Sequence, residues 1–238
     1  MIKAILFDLD GTLLPVDQDR FNRVYFKLLA EVFAPRGYEP KALVEGVWSG
    51  IRAMTGNDGS RSNEEAFWSE FEAIFGAKAV ADRNAFDDFY SNEFDSLRSV
   101  CGYDARASET VEALKKRGYR LALASNPVYP LIAHLVRARW AGVDPECFEY
   151  ISSYENSTFC KPNPGYYLEM AERLGCAPEE CLMVGNDVSD DMSAREAGMA
   201  VFLLTGCLIN TEGRDVSDYP NGGYTELARF IDEMERGK

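Results

Sequence analysis

Short apolar runs bounded by polar turns recur along the chain at 2–7, 119–124, 148–151, 181–184 and 200–204. Runs of this length suit strands buried on both faces. The last four alternate with stretches in which apolar residues return every three or four positions, the period of an amphipathic helix. Those stretches are 105–117, 129–138, 164–174 and 192–197, and Gly118, Gly175 and Gly198 follow three of them as C-terminal stops. Alternation of this kind predicts an α/β fold with a parallel sheet covered by helices. A final amphipathic helix is expected over 224–234, after a polar loop at 210–223.

Residues 15–100 break the alternation and read as helices alone, at 19–33, 41–54, 63–75 and 83–94. Aromatics spaced by three and four, among them Phe21, Tyr25, Phe33, Trp48, Phe67, Phe71 and Phe89, predict the interior of a small bundle rather than a ligand cage. The expected division is a core of residues 1–14 and 101–238 and an inserted helical domain of 15–100. Ligands of open α/β sheets bind at the carboxyl ends of the strands. An insertion directly after the first strand is therefore placed to act as a lid, hinged near Pro15 and Gly102. The polar stretch 54–60 is expected as a loop of that lid facing the strand ends.

Composition narrows the classes. The chain has 238 residues, 46% hydrophobic and 27% charged, with a net charge of -14 from 39 acidic and 25 basic residues. That field repels nucleic acid, and no Lys/Arg block offers a local exception. No apolar run approaches the length of a membrane span. The start runs directly into strand pattern, so no signal peptide is expected and the cytoplasm is the expected location. The six cysteines are scattered without a C-x-x-C pair and read as packing thiols. The single histidine, His134, excludes a multi-histidine zinc site and reads as a helix-surface residue. Acid–base work then falls mainly to carboxylates or a lysine.

Chemistry gathers at the strand ends. The first run ends in Asp8-Leu9-Asp10-Gly11-Thr12. Two acids two apart raise each other's pKa unless a cation lies between them or one shares a proton. A hard cation such as Mg2+ would resolve the conflict and leave a carboxylate oxygen as nucleophile; an Asp-Gly turn with a spare acid is the ordinary alternative. The second run delivers Ser125-Asn126-Pro127, a phosphate seat or an ordinary cap. After the third comes Lys161 before Pro162, a fixed ammonium or a solvated lysine. The fourth gives Asn186-Asp187-Val188-Ser189-Asp190-Asp191, a second carboxylate cluster in which Asp190 or Asp191 could instead cap a helix. Charges focused on one edge by separate strands are far more specific than any member alone.

These four stations resemble the haloacid dehalogenase superfamily of phosphotransferases. Phe7-Asp8-Leu9-Asp10-Gly11-Thr12-Leu13 is similar to its first motif, Ser125 to the hydroxyl of its second, Lys161 in Lys-Pro-Asn-Pro to its third, and Gly185-Asn186-Asp187 through Asp191 to its fourth. The insertion looks like the family's helical C1 cap. The resemblance implies a Rossmann-like sheet in the order 3-2-1-4-5, Mg2+ and an aspartyl-phosphate intermediate. It implies Asp8 as nucleophile, Asp10 as general acid/base, Lys161 as its catalytic cation, and Thr12, Ser125 and Asn126 as phosphate-binding. Asp8, Asp10 and Asp187 would hold the metal, with Asn186 and Asp191 supporting from behind. Many members have the acid directly after the glycine, where this chain has Asn186, so the roles of Asn186, Asp187, Asp190 and Asp191 are exchangeable.

The expected activity is Mg2+-dependent hydrolysis of a small phosphorylated metabolite. A phosphomutase of the same family and a catalytically weak binding module are the alternatives. Dehalogenase chemistry is disfavoured because family members of that type lack the second acid, and Asp10 is present. Neither nucleic acid nor membrane is expected as a partner; the sequence leaves the substrate and the oligomeric state open.

Overall fold

In the computed structural model, which describes residues 1–236, the apolar runs become the strands of a single six-stranded sheet. They are β1 (Ala4–Phe7), β2 (Arg120–Leu123), β3 (Tyr150–Ile151), β4 (Cys181–Gly185), β5 (Ala200–Leu204) and a short β6 (Asn221–Gly222). All pairs are parallel, in the order β3-β2-β1-β4-β5-β6. This is the expected Rossmann-like order with one edge strand added. Asn221 and Gly222 read as turn residues in sequence, and they form a strand only by pairing with Leu203 and Leu204.

Strand alternation sorts the core into two layers. Ile5, Phe7, Leu121, Leu123, Leu182 and Val184 face one cluster, while Leu6, Ala122, Met183 and Leu203 face the other. The first layer is covered by α5 (Ala105–Lys116) and α6 (Leu131–Trp140), and the second by α7 (Pro164–Arg173). Parallel pairing requires crossovers that return over the sheet, which is why both faces are closed. The predicted helix at 192–197 is a 3-10 turn, Asp191–Ala197, and α8 (Tyr224–Arg236) closes the chain.

The insertion carries α1 (Gln18–Phe33), α2 (Pro40–Thr55), α3 (Asn63–Phe75) and α4 (Ala77–Ser91). Asp17, Glu39 and Ser62 cap the first three through their side chains. The expected helix at 83–94 is displaced: α4 begins at Ala77, and residues 93–100 form a 3-10 segment. A buried aromatic lattice fills the bundle, including Phe33 stacked on Phe86 at 4.0 Å between centroids. Trp48 is the exception, 40% exposed. The two connections to the core lie side by side, with Gly102 N donating to Pro15 O at 2.7 Å and Val16 bridging Cys101.

Candidate active site

Register explains how distant residues meet. Phe7 lies opposite Leu123 on one side and Val184 on the other. The residues that follow them, Asp8, Ala124-Ser125 and Gly185-Asn186, therefore emerge at one sheet edge. Lys161 arrives from the loop after β3, held ahead of α7, whose first turn is capped by Asn163.

The Lys161 ammonium is buried and donates to Asp8 Oδ1 at 2.9 Å and Asp191 Oδ1 at 2.5 Å. Burial alone would lower its pKa, yet Asp191 and Asp8 together raise it well above the usual lysine range. It stays charged. Asp191 Oδ2 accepts the backbone N–H groups of Asn186 and Asp187, each at 2.9 Å. Both of its oxygens are thus committed inside the protein, and burial pushes its carboxyl up to about 7 against the pull of Lys161.

A cavity of about 230 Å3 opens above Asp8. Asp8, Asp10, Ser125, Asn126, Lys161, Asn186, Asp187 and Asp191 from the expected set all line it, and Asp190 joins them. Thr12 does not. Its hydroxyl donates to Asn186 Oδ1 at 2.8 Å, tying the first strand end to the fourth. Gly11 permits this closeness: with φ at +85°, an added Cβ would lie 2.2 Å from Asn186 Nδ2. Asp187 Oδ1 accepts from Ser189 N at 2.7 Å and Asp190 N at 2.9 Å, leaving Asp187 half-buried at the rim.

Several residues here carry no motif signal. Arg137, wholly buried on α6, forms an ion pair with Asp10 and lies 4.5 Å over the Tyr129 ring. Its guanidinium also donates to Nδ1 of His134 at 3.0 Å. His134 is therefore not on the surface but fully buried, and burial followed by the Arg137 charge lowers its pKa well below the usual histidine value. Burial raises the Asp10 carboxyl, opposed mainly by Arg137. Ser152 Oγ and Tyr166 Oη donate to Ser125 O at 2.7 and 3.0 Å, fixing the strand end that presents Ser125. From the insertion, Gln18 reaches the cavity. The loop at 54–60 does not line it; Gly59 instead packs against the Phe159 ring, two residues before Lys161.

The donor set fits a small hard cation. Among the described residues no three acidic, histidine or cysteine side chains converge as a ready cluster. Mg2+ needs no such cage: one or two carboxylates with water and substrate phosphate suffice. Asp8, Asp10 and Asp187 or Asp190, all on one cavity, bring oxygens of that kind together.

The chain is similar to known proteins over most of its length. The chain is 27% identical over 214 residues, 89% of both chains, to a glyceraldehyde 3-phosphate phosphatase of Methanothermobacter thermautotrophicus. It is 29% identical over 211 residues, 85% of both, to a phosphoglycolate phosphatase of Haemophilus influenzae. A crystal structure of a phosphatase from Thermococcus onnurineus superposes with a TM-score of 0.57 at 22% identity, covering 97% of this chain and 98% of that one, which supports the fold. The family model for haloacid dehalogenase-like hydrolases matches residues 2–198. With that span covering most of the chain and the ends of β1, β2, β3 and β4, the chain belongs to the haloacid dehalogenase-like hydrolases, in their phosphatase-like branch.

Proposed function

We propose that the chain is a Mg2+-dependent phosphomonoesterase that passes its phosphoryl group through Asp8. The observation that carries this reading is the buried Lys161 bridging Asp8 and Asp191 at the floor of a carboxylate-lined cavity. A fixed cation there orients one Asp8 oxygen and leaves the other to attack. The relatives support it, since their names describe phosphatases of small phosphorylated molecules.

Asp8 attacks phosphorus and the ester P–O bond breaks, while protonated Asp10 gives its proton to the departing alkoxide. Asp10 then takes a proton from water as the water oxygen attacks phosphorus, releasing inorganic phosphate and restoring the Asp8 carboxylate. Lys161, the Ser125 hydroxyl and nearby backbone amides balance charge on the phosphoryl oxygens. Asp8, Asp10 and Asp187 would hold a Mg2+ here, which would supply further charge neutralisation. Asn186 and Asp191 hold these groups in place, and the helical insertion of residues 15–100 covers the site.

The test is an acid quench of the Mg2+-loaded enzyme during turnover of an aryl phosphate, followed by peptide mass analysis. The expected result is a phosphoryl adduct on Asp8 and loss of turnover in EDTA. Full turnover in EDTA, or an adduct on another residue, overturns the reading.

A further inference from the structure

Charge is distributed unevenly around the cavity. Its floor and rim carry Asp8, Asp10, Asp187, Asp190 and Asp191 against the one ammonium of Lys161. That ammonium is already engaged by two of them. The remaining wall, Gln18, Asn126, Val128, Tyr129 and Ile209, is uncharged. A second cavity shares Val128 and Tyr129 and continues among Tyr25, Tyr90, Phe67 and Trp68 of the insertion, again without a charged residue. Arg137 is no free cation either, being wholly buried under Tyr129 and paired with Asp10.

The group esterified to the phosphate must extend from the floor towards this neutral wall. A bound divalent cation balances a dianionic phosphoryl group, so the surplus of carboxylates remains for whatever else the substrate carries. A second anion on the leaving group meets like charge, and the one cation on either lining, Lys161, is already paired with Asp8 and Asp191.

Asn126 gives an independent indication. Its Nδ2 faces Asp190 Oδ2 at 3.4 Å, which leaves Oδ1 as an acceptor that is buried and has no partner. A hydroxyl satisfies such an oxygen, whereas a carboxylate presents it with a second acceptor.

We infer that this site selects phosphomonoesters of uncharged alcohols, with their carbon skeleton against Val128 and Tyr129, and rejects those bearing a carboxylate or a second phosphate. The inference rests on the phosphomonoesterase reading above. It also leaves no seat for the bisphosphorylated intermediate that a mutase requires.

Two matched pairs test it with the Mg2+-loaded enzyme. Glycerol 3-phosphate and 3-phosphoglycerate share a skeleton and differ in hydroxymethyl against carboxylate; phenyl phosphate and 4-carboxyphenyl phosphate differ in hydrogen against carboxylate. The neutral member should have the higher kcat/KM by about 30-fold or more in each pair that is turned over. Gln18→Lys, which places a cation on the neutral wall, should narrow that ratio about fivefold, mainly through KM of the anionic member. Equal or better turnover of an anionic member overturns the inference, as does a ratio unmoved by Gln18→Lys. Hydrolysis of none of the four overturns the phosphomonoesterase reading itself, and the selectivity with it.

Discussion

Lys161 shows how one residue can be held in a state its surroundings oppose. Burial works against the ammonium, and two carboxylates outweigh it. Removing one of them separates their roles. Asp8→Asn should abolish turnover while leaving the fold intact, because Asp191 still pairs with Lys161 at 2.5 Å; activity near wild type would sink the nucleophile assignment. Asp10→Asn should slow turnover by a factor of roughly 10²–10⁴, read as kcat at saturating substrate. A twofold loss would remove Asp10 from proton transfer. His134 yields a pH prediction. Its folded pKa is lowered, so the unfolded chain takes up a proton below about pH 6.5 that the folded chain refuses. Stability therefore falls as pH falls through that range. The stability of wild type relative to His134→Phe should drop by about 1 kcal/mol between pH 6.5 and 5.5 in denaturant melts. A flat difference would mean that His134 titrates when folded. Asp8, Asp10, Ser125, Lys161 and Asp187 were legible in sequence because each follows an apolar run. Arg137 and His134 were not, since polar residues within a helix ordinarily mark its solvated face, and only the packing of α6 against Asp10 and Tyr129 reverses that.

Elements are held by close approaches that only small residues allow. On α2, a Cβ at Gly50 would lie 2.3 Å from the Phe67 ring of α3, so these helices pack nearly backbone to ring. At the end of β4, a Cβ at Gly185 would lie 2.1 Å from Asp191 Cγ. Gly185→Ala should therefore push Asp191 off Lys161 and the two amides it accepts. We expect turnover to fall at least about tenfold and stability by about 1–3 kcal/mol. Wild-type behaviour in both would show that Asp191 does not depend on this contact. Burial likewise ranks the tryptophans of the insertion. Trp68→Ala, at 4% exposure, should cost about 3–5 kcal/mol, and Trp48→Ala, at 40%, clearly less; the reverse order in thermal melts would contradict the packing. Helix periodicity placed α1, α2 and α3 to within a residue or so. It missed the start of α4 because Ala77–Ala81 carries little apolar contrast, and that turn is set instead by Gly76 with φ at +60°.

Across the whole molecule, the sheet order follows from parallel crossovers, and the placing of the insertion after β1 was readable from where the alternation stops. The contact between insertion and core was not readable, because it rests on polar groups spread over the chain. Asn63, the first residue of α3, is fully buried. Its side chain donates to Phe159 O at 3.2 Å and to Pro127 O at 3.4 Å, and lies 3.3 Å from Cys160 Sγ. Its backbone N–H donates to Ser157 O at 2.9 Å, and that of Glu64 to Tyr154 O at 2.7 Å. These acceptors belong to the loops that carry Asn126 and Lys161, so α3 grips the segments on which the site is built. If residues 15–100 turn as a body about the paired connections near Pro15 and Gly102, this grip must release whenever substrate enters. Each hydrogen bond contributes about 0.5–1.5 kcal/mol net, enough together to set how long the site stays closed. Asn63→Ala removes the side-chain part and should favour the open arrangement. Amide exchange over 153–161 should then rise about tenfold or more and KM should increase, while exchange in β1 and β4 stays unchanged. Faster exchange throughout the sheet would instead mark Asn63 as a general stabiliser of the fold. Unchanged exchange over 153–161 would show that the insertion is held against the core by its apolar contacts alone.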